Sequence, residues 1–210
     1  MDYSEIISNV KVYGLEESIK RAKYPMSTDV GKLSGDLTPG ILRLFTSERG
    51  AGHDQALSGI VVQFDLTFTV KAWTEAQRYH FLDFVSSQST MHRITRLNLD
   101  NQYIKYVDRR IVDIMKEKIK EYNEYCELSK DAMLGSVVEN VKKNMYLEIL
   151  YSNPCGFQLT AGMTTNYRQL KTIYAQRKNH RLPEWRAFCE WIKTLPHNEF
   201  ITCETEEENS

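Results

Sequence analysis

The stretch "GIVVQFDLTFTVKAW" constrains the fold of this chain more than any other. Val62, Phe64, Leu66, Phe68 and Val70 are apolar at every second position, with Gln63, Asp65, Thr67 and Thr69 between them. A period of two sends alternate side chains to opposite faces, so the run predicts a half-buried strand of an antiparallel sheet. Such a strand needs something over its apolar face, and the rest of the chain supplies helices. In "RRIVDIMKEKIKEYNEYCEL", Ile111, Met115, Ile119, Tyr122 and Cys126 recur at four, four, three and four, the apolar stripe of a long helix. Its charges mostly alternate in sign and read as a solvated face. "SKDAMLGSVVENVKKNMYLEILYSNP" adds another helix and a loop at Asn153-Pro154, and "LPEWRAFCEWIKTL" predicts a last helix ending before Pro196.

The remaining segments are shorter. Val10 and Val12 mark a strand, and a helical stretch from Leu15 to Lys23 is stopped by Pro25. "STDVGKLSGDLTPG" is rich in breakers and reads as loop. "ILRLFTSERGAGHDQAL" predicts a short helix ending at Gly50-Ala51-Gly52. "WTEAQRYHFLDFVSS" predicts a helix capped by Thr74, with Ala76, Tyr79, Phe81 and Phe84 on its apolar side. The class is therefore α+β, an antiparallel sheet with long helices. One domain is expected over residues 1–203, followed by an acidic tail, 204–210, too polar to order itself.

Composition narrows the function. The chain has 210 residues, is 41 % hydrophobic and 26 % charged, and carries a formal net charge of -1. That balance suits a globular protein and argues against general nucleic-acid binding. No apolar run approaches ~18 residues, so no membrane span is expected. "MDYSEIISNV" lacks the apolar core of a signal peptide. Cys126, Cys155, Cys189 and Cys203 are widely spaced. They read as reduced thiols of a cytoplasmic protein, with neither a disulfide frame nor a metal site.

Three polar clusters are candidates for chemistry. In "GAGHDQALSG", His53 sits between glycines that permit close backbone approach to a ligand; a tight turn with a surface histidine is the alternative. In "STMHRITRLNLDNQYIKY", His92, Arg93, Arg96, Asn98, Asn101, Tyr103 and Lys105 crowd together. Forked guanidinium donors and amides suit a phosphate or a polar heterocycle, although a polar loop paired with Asp100 and Asp108 fits as well. The third cluster is "TTNYRQLKTIYAQRKNHRLPEW", which reads as one amphipathic helix with Thr164 or Thr165 as its cap. Asn166, Leu170, Ile173 and Arg177 fall on one stripe of it, and His180 neighbours Arg177. An inward Arg177 with no carboxylate on its own stripe needs an anion, either a ligand or a distant glutamate.

These segments, in this order, resemble the flavin-dependent thymidylate synthases. "GHDQAL…GIV" followed by "TFTVKA" is similar to that family's glycine-histidine segment and central strand. "MHRITRLNLDN" stands where the family carries Arg-His-Arg, seven residues, then Ser. "TTNYRQL" resembles its Asn-x-Arg-Ser-Leu helix start, and Arg177 keeps the family's eleven-residue interval from that Asn. The chain departs from the pattern at Met91, Asn101 and Tyr103, and at Ser58-Gly59, where a Glu-His pair is usual. Each departure removes a charge or hydroxyl, and Arg96 and Lys105 offer positive charge nearby.

The resemblance implies an FAD-dependent methyltransferase of the thymidylate synthase type. Such an enzyme passes a one-carbon unit to C5 of dUMP, giving dTMP, with methylenetetrahydrofolate as donor and NADPH as reductant. It implies flavin contacts from His53, His92, Arg93, Asn98 and Asn166, and nucleotide contacts from Arg96, Asn101, Arg177 and His180. It also implies a homotetramer, and no protein nucleophile. Two alternatives stay open: a catalytically silent nucleotide-binding sensor, and an oligomeric structural protein of the same fold.

Overall fold

In the computed structural model of the chain, Val10 and Val12 lie in strand β1 (Ile7–Tyr13) and the alternating run forms β2 (Val61–Thr69). Val62, Phe64, Leu66 and Phe68 are buried as the period of two requires, but Val70 already opens a helix. The structure describes residues 1–130 and 135–204. Helices α1 (Leu15–Ala22) and α2 (Pro39–Phe45) lie between β1 and β2. Then come α3 (Val70–Ala76), β3 (Asp83–Ser87), the short α4 (Thr90–Arg93), α5 (Arg109–Leu128) and α6 (Gly135–Ser152). Strand β4 (Gln158–Asn166), α7 (Tyr167–Arg177), α8 (Pro183–Ile192) and α9 (Glu199–Thr202) complete the order. The strands form one antiparallel sheet in the order β1-β2-β4-β3, so the class is α+β.

Residue contacts group the chain into two compact units. The first holds Met1–Thr67, Thr74–Ser86 and the chain from Ala161; the second holds Phe68–Trp73 and Ser87–Thr160. Of the expected acidic tail, Glu204 accepts a hydrogen bond from the Tyr174 hydroxyl at 3.0 Å, and residues 205–210 lie outside the described residues.

In the first unit, β1 pairs antiparallel with β2 (Val12 opposite Val62, Ile7 opposite Leu66). A bulge between Ser8 and Lys11 puts Asn9 at φ 53°, and its amide donates to Asp65. Phe64 meets an aromatic layer on α8, with ring centroids 4.6 Å from Trp191 and 6.0 Å from Phe188. In the second unit α5 and α6 pack together, Tyr122 against Tyr146, over a core of Ile94, Leu99, Met115, Ile119, Ile149 and Phe157. On α5 the predicted stripe begins one residue late: Ile111 is exposed and Val112 is buried instead.

Three sequence expectations change. "WTEAQRYHFLDFVSS" is not one helix, because α3 starts at Val70 and stops at Ala76, and a turn then leads into β3. The cap is Thr69, whose hydroxyl accepts from the Ala72 amide at 3.1 Å, rather than Thr74. The helix expected to end at Gly50-Ala51-Gly52 stops at Phe45. Residues 164–185 are not one helix either. Thr164 and Thr165 belong to β4, and Asn166 itself caps α7, its side chain accepting from the Gln169 amide at 2.9 Å. Pro183 at the first position of α8 holds Leu182 extended, which forces a break after Arg177.

Close packing fixes one end of α1. Gly14, at φ 74°, precedes it, and a Cβ there would lie 2.5 Å from the Gly59 carbonyl oxygen. A Cβ at Gly59 would in turn meet the Ser18 hydroxyl at 2.5 Å, which gives the Ser58-Gly59 departure a packing reason. Gly14→Ala should lower the unfolding free energy by about 2–4 kcal/mol, from left-handed strain plus overpacking. The check is a lower denaturant midpoint at unchanged slope.

Candidate functional site

Strand β4 ends where α7 begins, and that junction forms one wall of a pocket of about 450 Å³ in the first unit. Asn166, Arg168, Gln169 and Thr172 line it from α7 and its cap; Arg49, Gly50, Asp54, Gln55 and Ser58 line it from the loop before β2; Phe81 completes it. The side-chain oxygen of Asn166 is occupied by capping, so its NH₂ is the group left to donate to a ligand.

The electrostatics of the wall follow from Asp54, which is 1 % exposed. One carboxylate oxygen accepts from Arg168 Nε at 3.2 Å, and the other lies 3.7 Å from the buried Lys171 ammonium. Lys171 also donates to the carbonyls of Phe45 (2.8 Å) and Ser47 (2.6 Å), so the buried ammonium has two hydrogen-bond partners besides the carboxylate. Arg168 and Lys171 thus meet a single carboxylate, and Arg49 adds a further cation to the lining, so the wall keeps a positive excess that suits an anion.

Phe81 is unusual. It sits in the turn between α3 and β3 at φ 64°, and it is 64 % exposed. Left-handed backbone at a bulky residue costs about 1–2 kcal/mol.

The far end of α7 carries a second cluster. Arg177 donates from Nη1 to Glu75 at 2.9 Å and from Nε to the Tyr79 hydroxyl at 2.7 Å. Its guanidinium lies over the Trp185 ring at 4.9 Å. The anion that an inward Arg177 requires is therefore Glu75, on α3. His180 joins the same carboxylate, Nε2 to Oε2 at 3.2 Å, while its Nδ1 accepts from the Leu182 amide. Nδ1 then carries no proton, and the ring faces Glu75 with Nε2–H. Burial is the main cause that lowers the His180 pKa below its usual range; Arg177 adds to it and Glu75 opposes it.

The remaining sequence candidates scatter. His53 is exposed on a turn whose flanking Gly50 and Gly52 have positive φ, and it is its neighbour Asp54 that enters the pocket. In the second unit, His92, Arg93, Arg96, Asn98 and Asn101 are exposed along α4 and the turns after it. Asn98 caps one of those turns, accepting from the Asp100 amide at 3.1 Å, and lines a smaller cavity of about 390 Å³ with Lys116 and Lys120. The acids expected to neutralise this run pair elsewhere: Asp100 with Arg109 and Lys116, Asp108 with Arg110. Among the described residues no carboxylate pairs with Arg93 or Arg96. Tyr103 belongs to the packing, edge-on to Phe157 and hydrogen-bonded to Asn153, and burial raises its pKa to about 12.

Sequence reasoning left Arg49, Asp54, Arg168 and Phe81 out of the site. One signal was present: Arg168 and Lys171, three apart on a helix, are adjacent cations that require an acid.

No family model matches this chain, and no curated protein does. Solved structures do match in fold. A flavin-dependent thymidylate synthase ThyX from Helicobacter pylori, crystallised with FAD and dUMP, superposes with a TM-score of 0.61 at 13 % identity over 94 % of this chain and 98 % of that one. A second structure of ThyX from Helicobacter pylori, also with FAD and dUMP, gives 0.62 at 12 % identity over 95 % and 96 %.

Removing the buried cation should expose the importance of the Asp54 knot. Lys171→Met should cost about 3–5 kcal/mol of stability, because it leaves Asp54 buried beside one cation only; chemical denaturation measures it. At the other end, Glu75→Gln should move the His180 titration midpoint, followed by NMR, further down. In the wild type the unfolded imidazole (pKa ~6.5) binds protons more readily than the folded one. The His180 contribution to stability is thus complete above ~6.5 and is lost as pH falls toward the folded value.

Proposed function

We propose that this chain is a flavin- and pyrimidine-nucleotide-binding enzyme of the thymidylate synthase type, with its cofactor site in the Asn166 pocket. The observation that carries the reading is a cavity of about 450 Å³ lined by Arg49 and Arg168 and by one carboxylate, Asp54, which the buried Lys171 also meets from behind. That size lies in the ordinary range for small-ligand sites. The donor set fits one phosphate-bearing half of FAD: Arg49 and Arg168 are placed for phosphate, and the Asn166 NH₂ for a carbonyl edge. The fold shared with two FAD- and dUMP-bound synthases agrees with this.

A bound flavin supplies the hydride chemistry needed to turn a one-carbon unit at C5 of dUMP into a methyl group. The chain's part is to bind and orient, with methylenetetrahydrofolate as donor and NADPH as reductant. Arg93 and Arg96, exposed and without carboxylate partners among the described residues, are suited to phosphate contacts with His92, Asn98 and Asn101 in a self-assembled oligomer, a homotetramer in this reading.

A second reading, a nucleotide-binding protein without turnover, is favoured by one observation. Arg177, the expected nucleotide contact, is satisfied internally by Glu75, Tyr79 and Trp185. A nucleotide phosphate would have to compete with a carboxylate already in place.

The purified protein should show the visible absorbance of an oxidised flavin, or acquire it on addition of FAD. Arg49 is exposed, so Arg49→Gln should weaken FAD binding on the order of tenfold while the melting temperature stays put. Absence of any FAD binding would overturn the cofactor assignment. Release of tritium from C5-labelled dUMP separates turnover from mere binding.

A further inference from the structure

We propose that Phe81 is the stacking platform of the Asn166 pocket, the surface on which the planar ring of a bound nucleotide rests. The inference deepens the nucleotide-binding reading and depends on it. Phe81 combines two features unfavourable to the ligand-free protein. Its backbone is left-handed, at φ 64°, where glycine or asparagine is usual, and its ring is 64 % exposed. The neighbours explain how this conformation persists. Two residues before it, the Tyr79 hydroxyl donates to Gln176 at 2.9 Å and accepts from Arg177 at 2.7 Å, fixing the turn to α7. One residue after it, Leu82 is buried at 4 % exposure. The turn is therefore anchored on both sides of a residue that itself lines the pocket.

A ring that rests there recovers the second loss and leaves the backbone as it is. Stacking buries the exposed aromatic face, and it is tolerant of base identity, because every base or flavin presents a π-face. Arg49 and Arg168 line the same pocket and are left for the phosphate. The division of labour selects ligands that carry a planar ring and a phosphate together.

The test compares the wild type with Phe81→Gly, which removes the ring and also relieves the strain. Calorimetric affinities are measured for FAD, FMN, AMP and dUMP, with ribose 5-phosphate as the ringless control, alongside melting temperatures. Phe81→Gly should weaken whichever ring-bearing nucleotide the wild type binds on the order of tenfold. It should leave ribose 5-phosphate unaffected and should not lower the melting temperature. Phe81→Tyr should bind as the wild type does. Unchanged nucleotide affinity in Phe81→Gly overturns the inference, as does an equal loss for ribose 5-phosphate or a lowered melting temperature. If FAD and FMN fail to bind but AMP or dUMP binds in a Phe81-dependent way, the platform stands and the flavin reading falls. If no ring-bearing ligand binds, both fall.

Discussion

Everything near the pocket hangs on one buried carboxylate. Asp54 is surrounded by the first unit's core, and Arg168 and Lys171 reach it from successive turns of α7. Ion pairs of this kind contribute little net stability, since desolvation offsets most of the attraction. Their value is geometric. Asp54 belongs to the loop that precedes β2, and Lys171 also holds the carbonyls of Phe45 and Ser47 at the end of α2. One ammonium thus registers two segments against a single helix, and the pocket opens between the Asp54 loop and that helix.

The two ends of α7 use charge in opposite ways. At the start, cations outnumber the acid and the surplus faces a cavity. At the end, Glu75 takes both Arg177 and His180, and two aromatic rings cover the guanidinium. An open cavity lined by surplus cations and a carboxylate already closed by two partners therefore share one short helix. This contrast separates the Asn166 end, open on a cavity, from the Arg177 end, a closed joint to α3.

How much of this could be read from residues alone depends on the range of the interaction. β2 was legible because its period of two is local, and α5 because its stripe is long. β4 was not: "QLTAGMTTN" alternates Ala161, Met163 and Thr165 inward, but small and hydroxylated side chains blur the contrast. The break between α7 and α8 was visible in Pro183, whose steric demand on Leu182 outweighs a continuous helical stripe. Arg177 shows the limit most plainly. Its need for an anion followed from the stripe, but choosing between ligand and Glu75 required knowing that α3 lies against that end of α7. Asn166 was expected inside the first turn, behind a threonine cap, and assigned to a ligand, whereas it is itself the cap and part of its side chain serves the helix. His53 drew attention for its chemistry, and the pocket took the residue beside it.

Helix α7 also acts as a ruler. Asn166 and Arg177 are eleven residues apart, and at a rise of ~1.5 Å per residue their backbones stand about 16 Å apart along the axis. Asn166 is the cap, with extended backbone, so the helix fixes the distance between the two residues and not a shared direction. A lone pyrimidine mononucleotide cannot span that distance. Any molecule that touches both ends must be as long as a dinucleotide, or else two molecules must lie end to end along the helix.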